Sequence, residues 1–272
     1  MMKLIQSILL LTTLLALPAG AQTLLVAAAA DLSYCIDELG AAFARQSAPA
    51  GKKVEVKVSL GASGNFFTQI RNGAPFDVFL SADMAYPAQL ARDGVADGAT
   101  LAPYAIGRIA LFSLDARFDL QLGMAVLRDS RLSRIAIANP AVAPYGRAAK
   151  AALEAAGAWQ ALQPKLVIGE NIAQTVQFVQ SGNAQIGIVS YASVLSPRLR
   201  GSGSHYLIAD TGMAPIEQGA IVTAHGTANP LAPRFVQFLS SPAARAILQR
   251  HGFGLPPLSS LAPAPLPGPP RG

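Results

Sequence analysis

Four times along this chain a short apolar run gives way, through a turn of small or helix-capping residues, to an amphipathic helical pattern. The runs fall at residues 23–28, 54–58, 135–138 and 166–168. Their turns are Ala28-Ala29-Ala30-Asp31-Leu32, Gly61-Ala62-Ser63-Gly64-Asn65, Asn139 to Gly146, and Gly169-Glu170-Asn171-Ile172-Ala173-Gln174. Strands that alternate with helices in this way form mostly parallel sheets, because the return path between parallel strands is long enough to hold a helix. In such sheets the strand-to-helix turns gather at the carboxyl edge, where ligands bind. Helices are expected at residues 32–45, after Gly61, and at 85–92, 145–156, 172–181, 232–239 and 243–251. Further strands are expected at 77–80, 106–114, 185–189, 206–209 and 220–223.

The run at 106–114 is long enough to leave one sheet and enter another, so it divides the series into two halves of the same design. The reading is an α/β fold of two lobes, each a mostly parallel sheet flanked by helices, with a ligand cleft between them. Lobe 1 spans residues 22–104 and is completed by 214–254, and lobe 2 spans 105–213. Hinges are expected near Tyr104 and at residues 210–217. A folded body of roughly 230 residues has ample core for two lobes and needs no disulfide. The single cysteine, Cys35, shares a helical face with Leu32, Ile36, Leu39 and Phe43, so it reads as core.

At the amino end, Lys3, the apolar run 8–17 and Ala19-Gly20-Ala21 have the order of a secretory signal peptide over residues 1–21, which predicts export to the periplasm. That run is shorter than the roughly 20 residues of a membrane-spanning helix. Residues 255–272, rich in Pro, Ala, Gly, Ser and Leu, read as a disordered tail. The formal charge is +6, one less once Lys3 leaves, and the basic residues are scattered without aromatic interleaving. Nucleic-acid binding is therefore disfavoured, while a mild positive field suits a small anion.

Each turn has the character of an anion cradle. Small residues admit a ligand close to the backbone, and the free N–H groups of a helix's first turn point at it. Ser63 adds a hydroxyl. Asn171 and Gln174 have capping-box spacing, which fixes that helix start.

In the order and spacing of these motifs, and of the block 72–83, Ile137-Ala138-Asn139-Pro140, Ala143-Pro144-Tyr145-Gly146 and Gly187-Ile188-Val189, the chain resembles the periplasmic molybdate-binding proteins of ABC importers. This is the ModA family, within the type II substrate-binding folds, and the resemblance runs from about Thr23 to Leu255. It implies a monomeric binding protein without a cofactor that captures molybdate or tungstate and delivers it to an inner-membrane permease and its ATPase. Molybdenum would be held only as its oxyanion, without direct metal ligands. The positions carried over are Ala30, Asp31, Ser63, Tyr145 and Ile172, the last through its backbone. Ser190, Tyr191 and Asn171 form a second tier, with cleft lining as the default for the first two.

Asp31 departs from the commoner pattern, in which a hydroxyl or amide stands there. A carboxylate beside a dianion is unfavourable unless it turns away, is protonated, or bonds to a proton on the ligand. Capping preference favours Asp31 as the cap of its helix. The alternative is that it accepts a hydrogen bond from a protonated oxyanion, which would shift preference toward phosphate-like ligands.

Competing classes leave weaker marks. Binding of phosphate, sulfate or ferric ion on the same fold is the nearest alternative, with Tyr145 and Tyr191 as phenolates and Asp31 or Glu170 assisting iron. A secreted hydrolase is disfavoured because Gly61-Ala62-Ser63-Gly64 is not a Gly-x-Ser-x-Gly elbow. His205, His225 and His251 lack ligand spacing, and Gly201-Ser202-Gly203-Ser204 lacks the third glycine of a dinucleotide fingerprint.

Overall fold

A computed structural model describes residues 22–48, 53–208 and 215–257. The expected signal peptide therefore lies outside the described residues, as do most of the hinge at 210–217 and the tail from 258.

The first half of the chain lays down β1 (Gln22–Ala29), a 3-10 turn at Ala30–Tyr34, α1 (Ile36–Ser47), β2 (Val54–Gly61), α2 (Ser63–Arg71), β3 (Val78–Ser81), α3 (Ala85–Arg92) and β4 (Ala96–Gly107). The second half follows with β5 (Ile109–Ser113), β6 (Ile135–Ala138), α4 (Pro144–Ala155), α5 (Trp159–Leu162), β7 (Leu166–Gly169), α6 (Ile172–Gln180), β8 (Ile186–Ser190), α7 (Tyr191–Leu195) and β9 (Ser204–Leu207). The chain then returns through β10 (Ile216–Thr223), α8 (Leu231–Phe238) and α9 (Pro242–Arg250).

Two five-stranded sheets result, ordered β2-β1-β3-β10-β4 and β7-β6-β8-β5-β9. In the first, β1 pairs in parallel with β2 and β3, while β10 runs antiparallel to both β3 and β4. In the second, β6 pairs in parallel with β7 and β8, while β5 runs antiparallel to β8 and β9. Four strands of each sheet thus point the same way, and in each the reversed strand is the one the chain lays down on arriving from the other lobe.

Side-chain alternation along the strands of sheet 1 divides them between two cores. Leu24, Val26, Ala28, Val78, Leu80, Ala220 and Val222 face α1, α8 and α9, where Phe43 meets Phe235 and Phe238 at ring distances of 5.0 and 5.6 Å. Ala27, Phe79 and Ile221 face the opposite side, against Phe66 and Ile70 of α2 and Leu90 of α3. Cys35 sits in the first of these cores.

Several expectations are corrected. The helix expected at 32–45 is broken at Cys35 into the 3-10 turn and α1. The strand expected at 106–114 is two strands meeting at Arg108, and β4 starts ten residues earlier, at Ala96, because β10 supplies its partner. The tail expected from Leu255 is held at its root: Leu255 packs on the core of lobe 1, and the Pro256 carbonyl accepts a 3.1 Å bond from Arg245.

Candidate functional site

The carboxyl edges of the two sheets face each other, and between them lies a small cavity. Ala29, Ala30, Asp31, Gly61, Ala62, Ser63 and Ala82 line it from lobe 1, and Ala143, Pro144, Tyr145, Asn171 and Ile172 from lobe 2. All four turns singled out in the sequence meet here. A fifth, after β3, contributes Ala82. Among the described residues that line the cavity none is basic, so an anion would find dipoles, hydroxyls and the carboxyl of Asp31 but no cationic side chain.

Each wall is built by local chemistry. Ser63 opens α2, and its buried Oγ accepts a 3.0 Å bond from the Ala82 N–H. That bond fixes the rotamer and leaves the hydroxyl proton available to an acceptor in the cavity. Across the cleft, Asn171 caps α6 by accepting from Ala173 N and Gln174 N at 3.0 and 3.1 Å, and the Gln174 side chain accepts from Glu170 N at 2.7 Å. With those three amides satisfied, the N–H of Ile172, first residue of the helix, has no intrahelical acceptor. Pro144 at the first position of α4 presets its start. Gly146 lets the helix lie against the end of β6, since a Cβ there would stand 2.3 Å from the Ala138 carbonyl oxygen. Tyr145 is thereby aimed into the cleft.

Asp31 does not cap a helix. Ala29 precedes the 3-10 turn, and no side chain caps that turn. The Asp31 carboxyl is buried, and its Oδ2 accepts from Tyr145 Oη at 2.8 Å and from Gln218 Nε2 at 2.6 Å. Tyr104 Oη in turn donates to Gln218 Oε1 at 2.6 Å. Burial pushes the Asp31 pKa up to about 6, against the pull of the Gln218 and Tyr145 hydrogen bonds. Burial likewise drives the Tyr145 and Tyr104 phenols well above their usual range, with the Asp31 charge adding to the rise. Asp31 Oδ1 has no hydrogen-bond partner. Both phenols are therefore neutral donors at physiological pH, and Tyr145 directs its proton to Asp31 and not into the open cavity.

Gln218 was not among the sequence candidates. The signal available for it is an amide directly before the apolar run Gly219 to Val222 of β10, where it is fully buried. Buried amides require partners, and this one joins Tyr104 to Asp31.

Ser190 and Tyr191 are corrections, because neither lines the cavity. Ser190 caps α7, and its Oγ lies 2.6 Å from Ser193 Oγ. Tyr191 lies under the guanidinium of Arg108 at 4.9 Å from its ring centroid, beside the crossing between lobes. Pairing of β8 with β5 carries the end of β8 to that crossing, away from the cleft. The two phenols considered as iron ligands are consequently not brought together, and no cluster of three or more His, Cys, Asp or Glu with metal-binding geometry occurs among the described residues.

Direct bonds join the lobes around the cavity. Gly64 N donates to Val142 O at 2.9 Å, Asn65 Nδ2 to Glu170 Oε1 at 3.4 Å, and Arg147 pairs with Asp83 while donating to Tyr86 Oη at 3.1 Å.

Two lobes of matching topology closed over a small cavity lined by helix starts define a solute-binding protein of the two-lobe type. Residues 24–254 match the model for bacterial extracellular solute-binding proteins. The chain is 37% identical over 240 residues to the molybdate-binding protein ModA of Rhodobacter capsulatus, covering 88% of this chain and 91% of that one. It is 36% identical to ModA of Azotobacter vinelandii, covering 89% and 94%. The solved periplasmic molybdate-binding protein of Azotobacter vinelandii superposes with a TM-score of 0.79 at 32% identity, over 86% of this chain and all of that one. The chain belongs to the ModA family of bacterial extracellular solute-binding proteins.

Proposed function

We propose that this protein captures molybdate, and tungstate with it, in the interlobe cavity and presents it to an ABC importer's membrane permease and ATPase from the periplasm. The observation that carries the reading is the convergence of Ser63, the Ile172 amide and the small-residue turn at Ala29–Ala30 on one cavity without a basic side chain. A tetrahedral dianion accepts many short charge-assisted bonds, and preorganised N–H dipoles at helix starts stabilise it without a cation. Kinship with molybdate-binding relatives supports the choice of ligand. The chemistry is capture and release. The lobes part and close about the crossing at Arg108, and the bonds from Gly64 and Arg147 belong to the closed form.

Thermal unfolding with molybdate, tungstate, sulfate, phosphate and ferric ion in turn tests this. A ligand that binds only the folded chain stabilises it by about 2.7 kcal/mol at a hundred times its Kd. Molybdate and tungstate should raise Tm by several degrees and the others little. A shift with ferric ion or phosphate alone would replace the reading.

A further inference from the structure

Asp31 presents an electrostatic problem that the closed cleft does not solve with protein groups alone. Its Oδ2 is satisfied twice, by Tyr145 and Gln218, while Oδ1 is buried without a hydrogen-bond partner in a residue that lines the cavity. An oxyanion seated against Ser63 and Ile172 would set oxygen lone pairs against the lone pairs of Oδ1. Two acceptors at hydrogen-bond distance repel unless a proton lies between them.

The surroundings offer no other remedy. The titratable groups bearing on Asp31 are Tyr145 from α4, Tyr104 from β4 and Cys35 behind its own turn, all neutral by virtue of burial. The strand β10 brings the uncharged Gln218, and α6 brings Ile172. On the far side, α7 reaches the 3-10 turn through Ser193, which bonds Tyr34, while Asp37 and Glu38 of α1 add negative charge near Cys35. No basic side chain acts on Asp31, and the pull of the Asp31 and Leu32 backbone amides toward its ionised form does not offset the cost of burial.

We propose that the closed complex holds one proton between Asp31 Oδ1 and an oxygen of the bound oxyanion, so that capture of a fully deprotonated dianion takes up one proton from solution. This rests on the oxyanion-binding reading above. Asp31 then acts as a specificity-determining donor, doing as a carboxylic acid what an amide does without titrating. Its pKa, already raised to about 6 by burial, is driven higher by a neighbouring dianion, which favours uptake near neutral pH. An oxyanion that arrives protonated, such as hydrogen phosphate, brings the proton itself and needs no uptake.

Calorimetric titration of the full chain with sodium molybdate, in two buffers of different ionisation enthalpy at pH 7.5, reads the uptake directly. Kd measured from pH 6.5 to 8.5 reads its linkage. Wild type should take up close to one proton per molybdate, and its Kd should weaken about tenfold per pH unit above the free-state pKa. In Asp31→Asn both the uptake and the slope should vanish while binding persists. Molybdate binding to wild type without uptake, or uptake that survives in Asp31→Asn, overturns the proposal and leaves the binding function intact. Failure of wild type to bind molybdate or tungstate at any pH overturns the function as well. If Asp31→Asn does not fold, the wild-type uptake alone decides.

Discussion

Gly64 offers a way to separate closure from folding. It is the second residue of α2, on lobe 1, and its N–H reaches the Val142 carbonyl of lobe 2 at 2.9 Å. A Cβ at Gly64 would stand 2.8 Å from Val142 O and 3.0 Å from Val142 Cα, and 2.9 Å from the hydroxyl of Tyr86. The tyrosine is the movable end of a side chain in the same lobe, but the Val142 backbone can yield only if the lobes part. Gly64→Ala should therefore penalise the closed form alone. The lost interlobe hydrogen bond is worth about 1 kcal/mol, and forcing a methyl against packed backbone costs about 1–3 kcal/mol. Together they weaken molybdate binding by about 2–4 kcal/mol, thirtyfold or more in Kd. The ligand-free chain should keep its stability or gain up to about 1 kcal/mol, since alanine is the better helix former. Isothermal titration gives the affinity, urea unfolding the stability, and small-angle scattering with saturating molybdate the closure. An affinity within threefold of wild type, or a ligand-free stability loss above about 1 kcal/mol, would refute the assignment of Gly64 to closure.

Three further outcomes follow from the site. Ser63→Ala removes a hydroxyl that a dianion would engage and strands the Ala82 N–H it accepts from; molybdate affinity should fall by about 1.5–3 kcal/mol, tenfold or more, by calorimetry. Arg147→Ala deletes a half-exposed interlobe ion pair with Asp83 worth about 0.2–1 kcal/mol, so Kd should rise only up to about fivefold, and the difference should shrink in 1 M salt. Because burial raises Asp31 from 3.8 to about 6, the ligand-free folded chain retains a proton between those values that the unfolded chain has lost. Stability then falls as pH rises through that window, by on the order of 3 kcal/mol in all. Urea midpoints at pH 4.5 and 7.5 should show that Asp31→Asn loses this fall relative to wild type and is the more stable of the two at pH 7.5.

What the sequence disclosed was local, and what it concealed was paired over distance. Strand, turn and helix follow one another within a dozen residues, so the four turns and the cap of α6 could be read directly. The start of β4 could not, because Ala96-Asp97-Gly98-Ala99 has no strand-like alternation and is extended only by pairing with β10 from the far end of the chain. Asp31 resembled a cap because capping is what aspartate does beside a helix start. Its actual partners, Tyr145 and Gln218, lie 114 and 187 residues away. Tyr191 fails as a candidate for the converse reason: it follows a strand as the cavity-lining turns do, but the antiparallel β5 carries that strand's end to the interlobe crossing.

The reversed strands also fix an order of assembly. All five strands of the second sheet fall within residues 109–207, so lobe 2 can complete its sheet from one continuous stretch of chain. Lobe 1 cannot, because β3 and β4 touch only through β10, which lies between them and arrives more than a hundred residues after β4. Until β10, α8 and α9 have emerged, its sheet stands open at β3, and the apolar faces of α1 and β1 lack the Phe235 side of their core. The half of the molecule made first is therefore finished last, and the chain stays short of its full two-lobed form until nearly all of it is available.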